Sequence, residues 1–197
     1  IVVTPNGYKA GTLYGVIPSS GAADMDVTRA TAGTRVDENG LVNYAEVLGS
    51  EIVTNGDFDT DSYWNKLNGS TISGGVGIVV AKASLHQSGL NWSLNQDVGM
   101  VFGKTYKISF SARQTVGTGN FQVAQGYQKG FDKSITSFFA DYSFYITAIN
   151  YSGNTGKITI GGNILGDTFE VDNVTVKEVY RNNVPRIDYT GGGCPHI

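Results

Sequence analysis

With 197 residues, 40% of them hydrophobic, the chain is long enough for one ordinary domain plus extensions and apolar enough for a real core. Its formal net charge of −3 argues against a nucleic-acid binder, which needs a basic stripe to neutralise phosphates. One cysteine, Cys194, excludes an internal disulfide, and no apolar run is long enough to span a membrane.

Residues 1–47 show little periodicity. Val2-Val3-Thr4 and Thr12-Leu13-Tyr14-Gly15-Val16-Ile17 read as short strands, and Pro18–Asp24 as a loop. The Asn39-Gly40 dipeptide between Thr34-Arg35-Val36 and Leu41-Val42 predicts a small hairpin. This segment has too few alternating apolar residues to bury a core alone. Sister subunits or another partner are expected to cover it.

From residue 48 strand-like runs recur about every 10–15 residues, bounded by Gly, Asn or Asp. Gly77–Ala81 is one. In Lys104–Ser111, Tyr106, Ile108 and Phe110 face one way and Thr105, Lys107, Ser109 and Ser111 the other, the period of a half-buried strand. Asp141–Thr147 repeats it through Tyr142, Phe144 and Ile146, which leaves Tyr145 on the opposite face. Lys157–Ile160 does so through Ile158 and Ile160. In Phe169–Lys177 the pairs Phe169/Val171 and Val174/Val176 alternate, but Val171 to Val174 is an odd step. A β-bulge at Asp172-Asn173 would return both pairs to one face. Roughly eight to ten such strands and no helical period predict an all-β fold, a jelly-roll β-sandwich, over residues 48–180. The Val53 run and the Val171–Val176 run are expected to be its neighbouring first and last strands.

Two resemblances follow from particular residues. Val53-Thr54-Asn55-Gly56-Asp57-Phe58-Asp59, then Trp64, Tyr106–Phe110 and Val171–Val176, resemble the jelly-roll carbohydrate-binding modules of xylanases and glucanases. The flanks Arg29-Ala30-Thr31-Ala32-Gly33-Thr34-Arg35-Val36-Asp37-Glu38-Asn39-Gly40-Leu41-Val42 and Asn183-Val184-Pro185-Arg186-Ile187-Asp188-Tyr189 together resemble a motif pair of bacteriophage tail-fibre, head-fibre and related virion proteins. There the halves lie close together; here a whole domain separates them. The second resemblance implies a virion structural protein, a head or tail fibre. Residues 1–47 and 181–197 would form its body, in a chain that continues beyond residue 197. It implies capsid or tail proteins as partners, a homo-oligomer, often a trimer, assembly in the host bacterial cytoplasm, and attachment to a cell-surface glycan. The rival readings are a non-catalytic carbohydrate-binding module of a polysaccharide-degrading enzyme, and a fibre whose remainder holds a depolymerase.

For chemistry, the chain has no nucleophile elbow, P-loop, His-Glu-x-x-His or Cys/His zinc spacing. Of its two histidines, His86 reads as a surface residue and His196 lies near the end, so no catalysis is expected. The module resemblance implies a structural Ca²⁺ shared by Asp59 and Asp172, with Asp57 as a third ligand and backbone carbonyls completing the shell. The competing reading is turn-capping aspartates. Trp64, Trp92, Tyr127 and Tyr145 are the aromatic candidates for stacking on a sugar, although Trp64 and Trp92 also suit core or loop-anchoring roles. Gln122, Gln125 and Tyr127-Gln128-Lys129 are candidates for a polar groove. Arg29, Arg35, Arg181 and Arg186 are candidates to pair with Asp24, Asp37 or Asp188, or with a partner in the particle. The four sequons at Asn68, Asn91, Asn150 and Asn173 are what so Asn- and Ser/Thr-rich a chain produces by chance.

Overall fold

A computed structural model describes residues 7–9, 12–14, 25–26, 32–36, 40–82, 93–126, 128–150 and 156–182. Among them there is no helix. The chain divides into two compact units: Ser50–Glu178, and Ile1–Gly49 with Val179–Ile197.

In the unit built from both ends, β1 (Gly7–Lys9), β2 (Thr12–Tyr14) and β3 (Met25–Asp26) form a three-stranded sheet. The expected hairpin forms between β4 (Gly33–Val36) and β5 (Val42–Ala45), in the register Val36 opposite Val42. Val2–Thr4, most of the Asp37–Gly40 turn and the Asn183–Tyr189 motif lie outside the described residues. Arg181 pairs with Glu46 at 3.2 Å and lies over the Tyr44 ring, 4.3 Å from its centroid. Asp24, Asp37 and Asp188, the expected aspartate partners, lie outside the described residues. Arg29, Arg186 and the side chain of Arg35 are outside the described residues.

The larger unit is a jelly-roll β-sandwich. The chain enters it along β6 (Val47–Glu51) and leaves along β16 (Thr168–Tyr180). Between them run β7 (Asn65–Lys66), β8 (Thr71–Ser73), β9 (Val76–Val80), β10 (Leu94–Asp97), β11 (Thr105–Val116), β12 (Phe121–Gln125), β13 (Gln128–Lys133), β14 (Ala140–Thr147) and β15 (Lys157–Gly162). One sheet has the order β13-β12-β15-β10-β7. The other has β14-β11-β16-β9-β8, with β6 also pairing to β16. The strand expected at Val53 is a correction: β6 ends at Glu51, and the chain from Thr54 onward turns.

Alternation explains the core. Tyr106, Ile108, Phe110 and Ala112 of β11 point inward with Phe169, Val171, Val174 and Val176 of β16; Leu94, Phe121, Val123, Phe131, Ile158 and Ile160 answer them from the other sheet. Phe121 links the sheets, with ring centroids 5.4 Å from Phe110 and 5.3 Å from Phe169. Burying each such ring stabilises by about 1.5–3 kcal/mol, and tilted or edge-on ring pairs add about 0.5–1.5 kcal/mol.

The odd step in β16 is a bulge. Ser109 of β11 pairs with Thr175, but Ser111 pairs with Asp172, so one residue of β11 opposes two of β16. Asn173 takes a left-handed φ of 52°, a conformation that asparagine tolerates better than most residues. Val171 and Val174 both reach the core. β13 carries a second irregularity: Val123 pairs with Phe131 but Ala124 with Lys129, which leaves Gly130 between them. A side chain at Gly130 would strike the Phe144 ring.

Removing one residue from β16 should therefore cost far more than changing it. Deletion of Asn173 flips Val174 and Val176 away from the core and is expected to abolish cooperative unfolding in denaturant. Asn173→Gly keeps the left-handed turn and is expected to shift stability by no more than about 1 kcal/mol.

Candidate functional site

The motif Asn55-Gly56-Asp57-Phe58-Asp59 is first a piece of architecture. Asn55 has a left-handed φ of 54°, and its side-chain amide donates to the carbonyls of Thr60 (2.7 Å) and Ser62 (3.1 Å). The Trp64 indole N–H donates to the Asn55 carbonyl at 2.9 Å, and its ring packs on Phe58 with centroids 5.1 Å apart. The Val174 N–H donates to the Gly56 carbonyl at 2.8 Å. Any side chain at residue 56 would collide with the Val174 carbonyl, so only glycine lets the turn dock on the bulged strand. Trp64, 4% exposed, is thus a core residue. Its ring faces are occupied, which corrects its place among the sugar-stacking candidates.

This turn brings the acidic candidates near one another. Burial pushes the Asp172 carboxyl above the ordinary aspartate value. The Asn173 N–H acts against that shift, and the charges of Asp57 and Asp59 add to it. Both Asp172 oxygens accept from Asn173, Oδ1 from its backbone N–H at 2.7 Å and Oδ2 from its amide at 3.1 Å. Among the described residues no three His, Cys, Asp or Glu side chains are grouped so as to hold a metal ion. A calcium ion here would draw on at most two carboxylates and otherwise on backbone carbonyls.

The outward face of the five-stranded sheet carries a denser polar cluster. On β12, Phe121 and Val123 point into the core, so Gln122 points away from it. Its neighbours across the ladder are Asp132 on β13 and Gly161 on β15. The Gln122 Nε2 donates to Asp132 Oδ2 at 2.9 Å, Asn120 Nδ2 donates to Asp132 Oδ1 at 2.9 Å, and the Lys129 ammonium lies 3.1 Å from Oδ2. One step along the sheet, Lys129, Ala124, Thr159, Asn95 and Asn65 form a cross-strand row. The small residues Ala124, Thr159 and Gly161 make a buried floor. Thr159 Oγ1 donates within the sheet, to carbonyls of Ala124 or Gly126.

Gln122 is 0% exposed, and its Oε1 accepts no hydrogen bond among the described residues. A buried amide oxygen left unpaired costs about 1–3 kcal/mol. Burial by itself would raise the Asp132 carboxyl, but the hydrogen bonds from Asn120, Lys129 and Gln122 and the Lys129 charge outweigh it and hold it below the ordinary value. The polar groove anticipated around Gln122, Gln125 and Lys129 is therefore divided. Gln122 and Lys129 share the Asp132 carboxylate, whereas the Gln125 Oε1 accepts from the Ile149 N–H at 3.2 Å. Asp132, Asn120 and Asn95 carried no sequence motif. Only the strand pairing places them beside Gln122.

Of the remaining aromatic candidates, Tyr145 stands on the outward face of β14, on the other sheet, 46% exposed. Trp92 and Tyr127, like His86, lie outside the described residues.

No family model matches the chain, and no curated protein matches it in sequence. Among solved structures, the CBM22-1 xylan-binding domain of Xyn10C from Paenibacillus barcinonensis is 8% identical with a TM-score of 0.47, over 66% of this chain and 95% of that one. The N-terminal cellulose-binding domain of β-1,4-glucanase C from Cellulomonas fimi is 20% identical with a TM-score of 0.40, over 61% of this chain and 92% of that one. A cyclase from Fischerella sp. TAU is 14% identical with a TM-score of 0.39, over 70% and 98%.

The Asp132 cluster predicts an acid-side effect. A carboxyl whose folded value is lowered adds stability that is present above the ordinary aspartate value, about 4, and is lost as pH falls through the folded value. Urea midpoints measured as pH is lowered through about 4 and below should fall for the wild type, and fall less steeply for Asp132→Asn.

Proposed function

We propose that the β-sandwich is a non-catalytic carbohydrate-binding module that takes a polysaccharide across the outward face of its five-stranded sheet. The observation that carries this reading is the Gln122 amide, buried on that face with its nitrogen committed to Asp132 and its oxygen open. A sugar hydroxyl is both donor and acceptor. Lys129, Asn95 and Asn65, the solvent-reaching side chains of the row beside Gln122, would meet such hydroxyls first, and one that displaces the cover over the buried Gln122 would relieve its unpaired Oε1. The sequence resemblance to carbohydrate-binding modules agrees with this chemistry.

The setting of the module is proposed from the flanking motifs alone. They favour a phage virion protein, a head or tail fibre with capsid or tail partners and several copies of the module. A weak single site would then act through avidity. The same module attached to a polysaccharide-degrading enzyme is the rival setting. Locating the chain in intact particles decides between them.

Retention of the protein in gels containing soluble neutral polysaccharides tests the module reading. At least one neutral glucan or xylan should retard the wild type. Gln122→Leu, which keeps side-chain size, should weaken retention roughly tenfold without lowering the melting temperature. Equal retention of both proteins would remove Gln122 from the site, and no retention by any polysaccharide would remove the function.

The calcium expectation has its own test. We propose that Asp172 and one of Asp57 and Asp59 bind Ca²⁺ weakly, because a cation offsets the repulsion felt at Asp172. The melting temperature should rise with Ca²⁺ concentration, as mass action requires, and Asp172→Asn should abolish the rise. A wild type that melts identically in chelator and in excess Ca²⁺ leaves the turn purely structural.

A further inference from the structure

We propose that the outward face of the six-stranded sheet holds a second binding site, specific for a sugar unit that carries a negative charge. It is independent of the Gln122 trough, which lies on the other sheet.

The outward residues of β14, β11 and β16 fall into three cross-strand rows. Lys107 stands between Tyr145 and Lys177, Ser109 between Ser143 and Thr175, and Ser111 between Asp141 and Asp172. The middle row consists of short hydroxyl side chains, and the outer rows are longer. The result is a groove of about 340 Å³, lined by Lys107, Ser109, Ser143 and Thr175 with Ser111 and Asp141 at one side. That volume lies at the small end of the roughly 300–1,000 Å³ typical of small-molecule sites.

The charges on the two walls define the ligand. Lys107 lines the groove, and Lys177, just beyond the lining, sits directly opposite it on the paired strand, an arrangement of like charges that destabilises a sheet. Among the described residues neither forms an ion pair with a carboxylate. The Lys107 ammonium lies 5.7 Å from the centroid of the Tyr145 ring, which holds the charge at the rim without neutralising it. An anion would neutralise it. The far wall has the opposite character: Asp141 accepts a hydrogen bond from the Ser111 hydroxyl, and its carboxylate is suited to accept hydrogen bonds from further hydroxyls and to repel an anion. The lysine and carboxylate rows are four residues apart along β11, about 13 Å at ~3.3 Å per residue. A bare phosphate would meet only the lysine wall. An oligosaccharide with a carboxylated or sulfated unit satisfies both, with that unit's charge at Lys107 and Lys177 and its ring beside Tyr145, and the hydroxyls of the adjoining unit on the serines and Asp141.

Calorimetry on the full chain tests this with four probes: a galacturonic acid hexamer, its methyl ester, a sulfated oligosaccharide of similar length, and inorganic phosphate. The acid or the sulfated probe should bind, and whichever binds identifies the anionic group. The neutral ester should bind roughly tenfold or more weakly, the scale of losing a hydrogen bond to a charged group. Lys107→Met should remove the preference for charge, Lys107→Arg should restore it, and Lys177→Met should weaken it, all with unchanged melting temperatures. Retention of Lys107→Met by neutral polysaccharide should match the wild type, which separates this site from the trough. Equal binding of acid and ester, phosphate binding as tightly as the acid, binding by Lys107→Met like wild type, or no binding by either charged probe would each overturn the proposal.

Discussion

The extra residue in β16 is the constraint on which the rest of the sandwich depends. β16 pairs with β11, β9 and β6, and it is long enough that both its halves must reach the core. In a regular strand they would face opposite sides. Asn173 absorbs the mismatch with a left-handed turn, and the break then fixes what surrounds it. The Val174 N–H, freed from the regular ladder, donates to the Gly56 carbonyl, and the Asn55 turn is docked there. That turn carries Phe58 and Trp64 into the core and sets Asp57 and Asp59 near Asp172.

Alternation does the same for the two polar surfaces. Each strand that fills the core with every second residue must display the others. The five-stranded sheet thereby shows amides and a lysine gathered on Asp132, and the six-stranded sheet shows hydroxyls between lysines and carboxylates. The two faces differ in kind: one holds an internally bonded carboxylate and an open amide oxygen, the other two lysines with no ion pair to a carboxylate among the described residues.

Much of this was legible in the residues, and the limits were physical. β11, β14 and β15 announced themselves by period two, and the bulge by the odd spacing of Val171 and Val174. Val53 misled, because an apolar residue before an Asn-Gly turn reads as the end of a strand. What holds that stretch is non-local: the Gln96 amide bonds to both the N–H and the carbonyl of Thr54. Trp64 could equally have been a platform or a core residue, and the Asn55 carbonyl that takes its N–H settled it as core. The partners of Gln122 were invisible, since β12, β13 and β15 meet only through pairing, and the Gly130 irregularity sets which residue of β13 stands opposite Ala124 and which opposite Gln122.

The place of β16 in its sheet has a consequence for biosynthesis. β11 with β14, and β9 with β8, are antiparallel pairs that meet only through this final strand, and β6 waits for it as well. Until residue 168 and those after it leave the ribosome, one half of the sandwich exists as separate ribbons with open edges. Folding of such a topology is slow because its decisive contacts span nearly the whole domain. A nascent chain stalled before β16 presents unpaired apolar strands, the form of a β-protein most prone to associate with its own copies.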